Sequence, residues 1–473
     1  MNKETYLTEY PKHESMRENV KKDKNRLHFH MMPPTGWMND PNGLCEFQGV
    51  NHIYFQYTPF LAGWGTKLWG HYTTKDWIHY KEEEPFLYPD EEWDRDGVYS
   101  GSAYTCEDGI HYFYTGNVKL WDKDYDYIMN GREQNTIHVF SPDGKNIAYK
   151  KLVMTNDDYP VNMSKHVRDP KIYKKDGRYY MIQGGRDAES YGCALLFCSD
   201  DLEHWKWYDT VRTAKPFGYM WECPDLFEID GQQIMTCCPQ GVDQKGYDYQ
   251  NVYQCGYFPV EFDLKNKSYS FGKFQEFDKG FDIYATQTFA DEAGRRILIG
   301  WMGIPDADYT NPTVNAGWQH ALTMPRQLHM REGRLLQQPL EEMRELRRDR
   351  RDYDFEELAK GVEPGLVFEG RIYFVTCHDM CLTVRGDVTL SYENGLLTLD
   401  MGTCGSGRTR RSVPLERLTD LHIFSDTTSL EIFVNKGREV FTTRVYGSHP
   451  GMRMEGDCSG NGIVYGLNGF IYE

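Results

Sequence analysis

Short runs of apolar and aromatic residues, broken at glycine turns, dominate the first two-thirds of the chain. Five segments share one pattern: DPNGLCEFQGVNHIYFQY from Asp40, SGSAYTCEDGIHYFYTG from Ser100, DPKIYKKDGRYYMIQGG from Asp169, ECPDLFEIDGQQIMTCC from Glu222 and ATQTFADEAGRRILIGW from Ala285. Each opens on a small or polar residue, runs through a short strand to a glycine turn, and continues into a strand dense in Tyr, Phe, Ile or Met. Asp108-Gly109, Asp176-Gly177 and Asp230-Gly231 are two-residue hairpin signals. The turn glycines (Gly49, Gly109, Gly177, Gly231, Gly294) are 54 to 68 residues apart, which leaves room for two more strands per repeat. A hairpin recurring at that interval predicts a β-propeller of four-stranded blades, and five repeats predict five blades.

The pattern changes after residue 330. Leu340, Met343 and Leu346, at helical spacing in a charged run, predict a linker helix. From about Gly365 strands resume, with hairpin turns at Asn394-Gly395 and Asn435-Lys436-Gly437, and predict an antiparallel β-sandwich. The expected organisation is all-β: a five-bladed propeller catalytic domain at 1–335, a linker helix region at 336–358 and a C-terminal sandwich at 359–473.

Charge narrows the function. A net charge of −18 disfavours nucleic acid, which needs basic surface to displace counterions, and disfavours an anionic membrane. The N-terminal stretch is polar, without the apolar region of a secretory signal, and no apolar run approaches the ~20 residues of a membrane helix. The 12 cysteines are irregularly spaced. Cys377 and Cys381 have no second ligand pair, so reduced core thiols, not a zinc site, are expected, in the cytoplasm. Aromatic residues are 15% of the chain; they suit sugar rings, but most are accounted for by sheet core.

The register of the repeat carries the chemistry. Asp40, Ser100, Asp169 and Glu222 each stand eight or nine residues before their turn glycine. Equivalent positions in successive blades lie at one height around one axis, so these four should converge on the central funnel. A lone Asp at a strand edge is usually structural; three acids in one register are not. Converging carboxylates suit glycoside hydrolysis, which needs a proton on the leaving oxygen and electron density at the anomeric carbon. Asn39, Pro41 and Asn42 flank Asp40 and should hold it ionised, as a nucleophile needs. Trp221 and Cys223-Pro224 flank Glu222 and should raise its pKa, as a proton donor needs. Arg168 precedes Asp169 and should keep it ionised, an acceptor for two sugar hydroxyls.

WMNDPNG, HIYFQYTPF, WGHYTTKDWIHY, GVYSGSA, VRDPKIY and WECPDLF occur in that order, followed by GWQHALTMPRQL and SLEIFVNKGREVFTTRVY. From about His28 to the C-terminus the chain closely resembles glycoside hydrolase family 32, the invertase, inulinase and sucrose-6-phosphate hydrolase family. The resemblance implies a five-bladed propeller with a C-terminal β-sandwich and a retaining double displacement. On the matching positions Asp40 is nucleophile, Glu222 acid/base and Asp169 transition-state stabiliser. Asn39, Gln56, Trp64, Tyr99, Ser100 and Arg168 match positions lining the fructose subsite; Tyr99 replaces a more common Phe. His71 reads as structural. No metal or organic cofactor is implied. A phosphate on the glucosyl side would need basic partners, and Lys67, Lys75, Lys119 and Arg132 are the candidates. Sucrose, sucrose 6-phosphate and short fructo-oligosaccharides are the expected substrates, and the sandwich offers a homodimer face. The competing readings are a propeller glycosidase acting on arabinose or xylose, a non-catalytic sugar-binding relative, and fructosyl transfer in place of hydrolysis.

Overall fold

Aspartate-glycine pairs turn the inner hairpins of the third and fourth repeats, whereas in the second Glu107-Asp108 make the turn and Gly109 already pairs with Cys106, one position before the Asp108-Gly109 turn expected. Asp176 and Asp230 have φ of +50° and +49°, and Gly177 and Gly231 have +80° and +79°, so both central residues of each turn are left-handed, as a type I′ hairpin requires. The computed structural model, which describes residues 1–473, stacks such hairpins into five sheets. Blade 1 contains Gly36–Phe47, Val50–Thr58, Leu68–Thr74 and His79–Leu87, and blade 2 Val98–Cys106, Gly109–Lys119, Arg132–Ser141 and Tyr149–Met154. Blade 3 contains Met163–Lys175, Arg178–Asp187, Gly192–Ser199 and Lys206–Val211, and blade 4 Met220–Ile229, Gln232–Gln240, Gly256–Asp263 and Ser268–Phe271. Blade 5 contains Tyr284–Ala290, Arg296–Trp301, Arg326–Arg331 and Arg334–Pro339.

Blade 1 is extended at both edges. Trp318–Gln319 pairs with its first strand, and the C-terminal Ile471–Tyr472 pairs with its last. Both edges are thereby covered, which removes open pairing sites. Two short helices, Lys3–Glu9 and Glu14–Lys21, precede the propeller and bury Tyr6 and Val20. No helix is long and apolar enough to cross a membrane.

The sandwich has a six-stranded sheet, ordered Arg347–Asp354, Cys458–Leu467, Phe368–Cys377, Asp420–Asp426, Ser429–Val434 and Glu439–Arg444. Its partner sheet is five-stranded and central to its core are Leu382, Val384, Leu390, Leu397 and Leu399, at alternating positions that face one way. The 336–358 region departs from the expected linker helix. Met343 and Leu346 are buried, but in a six-residue 3₁₀ turn, Glu341–Leu346. Arg347–Asp354 then joins the sandwich as a strand paired with Cys458–Leu467, and only Phe355–Lys360 is α-helical. Backbone pairing with a waiting sheet edge outweighs the helical spacing of three apolar residues.

Candidate active site

One irregularity recurs in all five blades. The pairing of first and second strand slips between Met38 and Pro41, Val98 and Gly101, Glu222 and Asp225, and Tyr284 and Gln287, and in blade 3 opposite the step from Ile182 to Gly184. The slips bracket Asp40, Ser100, Asp169 and Ala285; in blade 4 the bracketed residues are Cys223 and Pro224, and Glu222 is the last paired residue before them, one position earlier than the repeat places it. A bulge bends its strand and re-aims a side chain. Asp169, Cys223 and Ala285 complete the picture with φ of +64°, +48° and +47°, a strained backbone for residues with a Cβ. Gly184 makes room for the next blade: a Cβ there would lie 2.1 Å from the Trp221 carbonyl oxygen.

Inner strands of different blades hydrogen-bond to one another around the axis. Ser102 Oγ donates to the Pro170 carbonyl at 2.7 Å, Asp169 N to Thr115 Oγ1 at 3.0 Å, and Gln287 Nε2 to the Gly101 carbonyl at 2.9 Å. On this frame sits the carboxylate cluster. Ser100 Oγ donates to Asp40 Oδ2 at 2.5 Å and Asn39 Nδ2 to Asp40 Oδ1 at 2.9 Å. Gln56 fixes both helpers, accepting from Asn39 Nδ2 at 3.1 Å and donating to Ser100 Oγ at 2.9 Å. Trp37 Nε1 holds Asn39 Oδ1 at 2.9 Å, which orients the amide toward Asp40. The Cys223 amide donates to Asp169 Oδ2 at 2.9 Å, and the Cys223 thiol lies between the two aspartates, 3.6 Å from Asp169 Oδ2 and 4.0 Å from Asp40 Oδ2.

Glu222 is held differently from its predicted apolar setting. Arg168 donates to Oε1 from Nη2 at 2.7 Å and Nε at 3.1 Å, while Oε2 accepts from Tyr284 at 2.6 Å and Gln240 Nε2 at 2.8 Å. Arg168 is thus spent on Glu222, not on its chain neighbour Asp169, because adjacent strand residues point to opposite faces. The consequence is a correction: Asp169 is not kept ionised by Arg168. Burial pushes its pKa up to about 7; Arg168 opposes, and Glu222 and Asp40 add to the rise. Asp40 also departs from the expectation that its neighbours hold it ionised: burial raises it, the Ser100 and Asn39 hydrogen bonds offset this only in part, and Asn42 donates to its backbone carbonyl, not its carboxylate.

The remaining candidates divide. Trp64 is 58% exposed and packs on Trp37, with ring centroids 5.1 Å apart, forming an open aromatic wall. The Tyr99 carbonyl accepts from Trp69 Nε1 at 3.1 Å. His71 is buried between His52, 3.1 Å from its Nε2, and the Tyr54 ring. Lys67 is buried too, over the Trp37 and Trp64 rings and donating to Thr58 Oγ1, while Lys75 is exposed at the turn between the third and fourth strands of blade 1. Gln240, Tyr284 and Thr115 were not anticipated. The signal for Tyr284 was present: it precedes Ala285, which opens the fifth repeat without an acid. At the turn of the inner hairpin of blade 2, Cys106, Asp108 and His111 bring metal-capable atoms within 4.8 Å of one another, at the far end of a strand whose other end carries Ser100.

Three carboxylates brought together from three blades in a five-bladed funnel define a propeller glycoside hydrolase. The chain matches the glycosyl hydrolases family 32 N-terminal domain over residues 30–339 and the family's C-terminal domain over 376–461. It is 38% identical over 440 residues to the sucrose-6-phosphate hydrolase of Bacillus subtilis, covering 90% of this chain and 89% of the relative. The structure of sucrose-6-phosphate hydrolase from Lactobacillus gasseri superposes with a TM-score of 0.89 at 28% identity, covering 97% of this chain and 96% of the other. A Bombyx mori family 32 β-fructofuranosidase, solved as a mutant in complex with sucrose, superposes with a TM-score of 0.85 at 28% identity over the whole of both chains. The chain belongs to glycosyl hydrolase family 32 and is a β-fructofuranosidase.

Proposed function

We propose that the protein hydrolyses sucrose, sucrose 6-phosphate and short fructo-oligosaccharides with retention of configuration, Asp40 acting as nucleophile and Glu222 as acid and base. The observation that carries the reading is the contrast between the two carboxylates. Asp40 is gripped on both oxygens by Ser100 and Asn39, which aims it rigidly into the funnel. Glu222 accepts from donors on three blades, Arg168 of blade 3, Gln240 of blade 4 and Tyr284 of blade 5, which hold it across the funnel from Asp40.

In the first step Asp40 attacks the fructosyl anomeric carbon while Glu222 protonates the departing oxygen; in the second Glu222 deprotonates water, which releases fructose from Asp40. Without substrate every hydrogen-bond contact to the Glu222 carboxyl comes from a donor: Arg168, Tyr284 and Gln240. Fructose hydroxyls that draw Arg168 away would free Oε1 to carry the proton. Asp169, Asn39, Gln56, Trp64, Tyr99, Ser100 and Arg168 form the fructose subsite in this reading. A cytoplasmic location is supported by 12 cysteines that are all free thiols, and the sandwich remains the proposed homodimer face.

The test is sucrose hydrolysis followed by NMR on fresh protein. The first-formed fructose should be the β-furanose anomer, and Asp40→Ala should abolish its appearance. First-formed inverted product, or near-normal cleavage by Asp40→Ala, would refute the reading.

A further inference from the structure

We infer that the rim between blades 2 and 3 holds a phosphate on the leaving sugar, with Arg132 as the principal ligand. The inference rests on the fructosidase reading and refines its substrate.

Arg132 is only 4% exposed, in a chain with 71 acidic residues, yet no carboxylate pairs with it. Its Nη2 donates to Asn117 Oδ1 at 3.0 Å, and its Nε is buried without any partner. Its Nη1 stands 3.5 Å from His166 Nε2, but that nitrogen already serves the Tyr127 carbonyl at 2.7 Å. Nε2 must therefore carry a hydrogen, and His166 Nδ1 is the acceptor that Arg168 Nη1 meets at 2.9 Å. Arg132 Nη1 and His166 Nε2 are two donors facing each other. Besides Asn117 Oδ1, the guanidinium's close neighbours are the Tyr127 ring, 5.1 Å away, and the Tyr99 side chain, so it has no anionic partner and its Nε has no acceptor at all.

The surroundings add charge of the same sign. Lys119 lies directly opposite Arg132 in the ladder of blade 2, so the two cations share a face. Like charges directly opposite destabilise a sheet pair unless something lies between them. His166 is kept neutral by burial and by Arg168, Arg132 and Arg186 together. A desolvated guanidinium lacking acceptors is costly, and an arriving anion removes that cost by supplying them. The planar fork matches phosphate oxygens two at a time.

Position decides which end of the substrate is read. Arg168 bonds both Glu222 and His166, and Arg132 stands 3.5 Å beyond His166, so two side chains separate Arg132 from the proton donor. Asp40 and its helpers Ser100, Asn39 and Gln56 form the other flank. Arg132 therefore stands on the proton donor's side of the funnel, the side of the departing glucosyl group. Lys67 and Lys75 are excluded: the first is shielded beneath Trp37 and Trp64, beside Asp40, and the second is exposed at a turn of blade 1.

The decisive measurement is the ratio of kcat/KM for sucrose 6-phosphate to kcat/KM for sucrose, on one preparation of wild type, Arg132→Gln and Lys119→Gln. Because both substrates sample the same active sites, a partly misfolded variant leaves the ratio intact. The wild type should prefer the phosphate ester. Arg132→Gln should lower the ratio about 10- to 100-fold, the size of losing a charge-assisted hydrogen bond, and Lys119→Gln by less. Inorganic phosphate should compete with sucrose in the wild type and weakly in Arg132→Gln. A wild-type ratio near one, or an unchanged ratio in Arg132→Gln, overturns the pocket while leaving the fructosidase reading in place. Failure of the wild type to cleave either substrate overturns both.

Discussion

Two clusters of buried charge lie in this molecule, and they are built on opposite rules. At the seam between propeller and sandwich, Arg326 reaches Glu431 at 2.5 Å and Asp278 at 3.2 Å, with all three side chains fully buried. His30 bridges Asp426 at 2.7 Å and Glu431 at 2.8 Å, and Arg408 grips Asp282 through both carboxylate oxygens at 2.6 Å. Backbone amides fill the remaining positions: those of His28 and Phe29 on Asp426, and that of Met324 on Glu431. Burial opposes the charge on Asp426 and Glu431, but His30, Arg326 and these amides win, so both pKa values fall below the ordinary range. Asp278 is the exception, raised by burial even against Arg326. In the funnel the balance is reversed. Three carboxylates share Arg168 and Lys67, burial pushes Lys67 down to about 7, and Asp40 and Asp169 rise. A buried ionic network with its acids satisfied fixes two domains; one with acids in excess holds charge ready for a substrate.

Breaking the funnel should cost chemistry and spare the fold. Asp40→Asn should lower kcat by about 10⁴-fold or more, the scale expected when a covalent route is lost. Its melting temperature should not fall, because a buried acid with a raised pKa is removed. A variant that loses activity and unfolds together would place Asp40 with the seam residues instead. Glu222→Gln should cost about 10²- to 10⁴-fold on sucrose, the usual share of proton transfer. It should recover most of that loss on fructosyl fluoride, whose leaving group needs no proton. Equal losses on both substrates would count against the proton-donor role.

Breaking the seam should do the reverse. Arg326→Met leaves Glu431 and Asp278 buried without their cation, a loss of about 3–5 kcal/mol. Urea unfolding should show that loss, while kcat of the protein that remains folded should stay close to wild type. The double change Arg326→Met with Glu431→Gln should recover part of the stability, since it also removes one stranded charge. A double variant as unstable as the sum of the singles would mean that the two do not act as a pair.

The two clusters were unequally legible in the sequence. The funnel acids could be found because the repeat supplies its own ruler, and Ser100 and Asp40, 60 residues apart, meet at 2.5 Å. Side-chain direction within the bulge could not be read, so Arg168 was assigned to Asp169 by adjacency when it faces Glu222. The seam was invisible to any local rule: His30 and Asp426 are separated by 396 residues, and no repeat relates them. One clue existed. Glu431 and Arg444 fall within SLEIFVNKGREVFTTRVY, on strands otherwise rich in apolar residues, and both are fully buried. A charge inside such a strand signals a partner on another element without saying which. The strand at Arg347–Asp354 was missed for a similar reason: its charged sequence is exposed on the surface, and only its pairing with Cys458–Leu467 makes it a strand.

The gentlest way to separate the clusters is pH. Asp426 and Glu431 have lowered pKa values in the folded state, so their stabilisation is present above the unfolded carboxylate range and is lost as pH falls through the folded values. Asp169 has the opposite sign. Raised from 3.8 to about 7, it favours the folded state below the unfolded value, and that contribution is lost as pH climbs toward 7. Asp169→Asn keeps an oxygen for the Cys223 amide and removes only the ionisation. The variant and wild type should therefore melt at nearly the same temperature near pH 4, where the native carboxyl is protonated. By pH 8 the variant should be the more stable, by on the order of 2–4 °C. Differential scanning calorimetry across that range reads the difference directly. A difference that stays constant from pH 4 to pH 8 would show that Asp169 does not titrate between them, and would return it to the fully satisfied class of carboxylates seen at the seam.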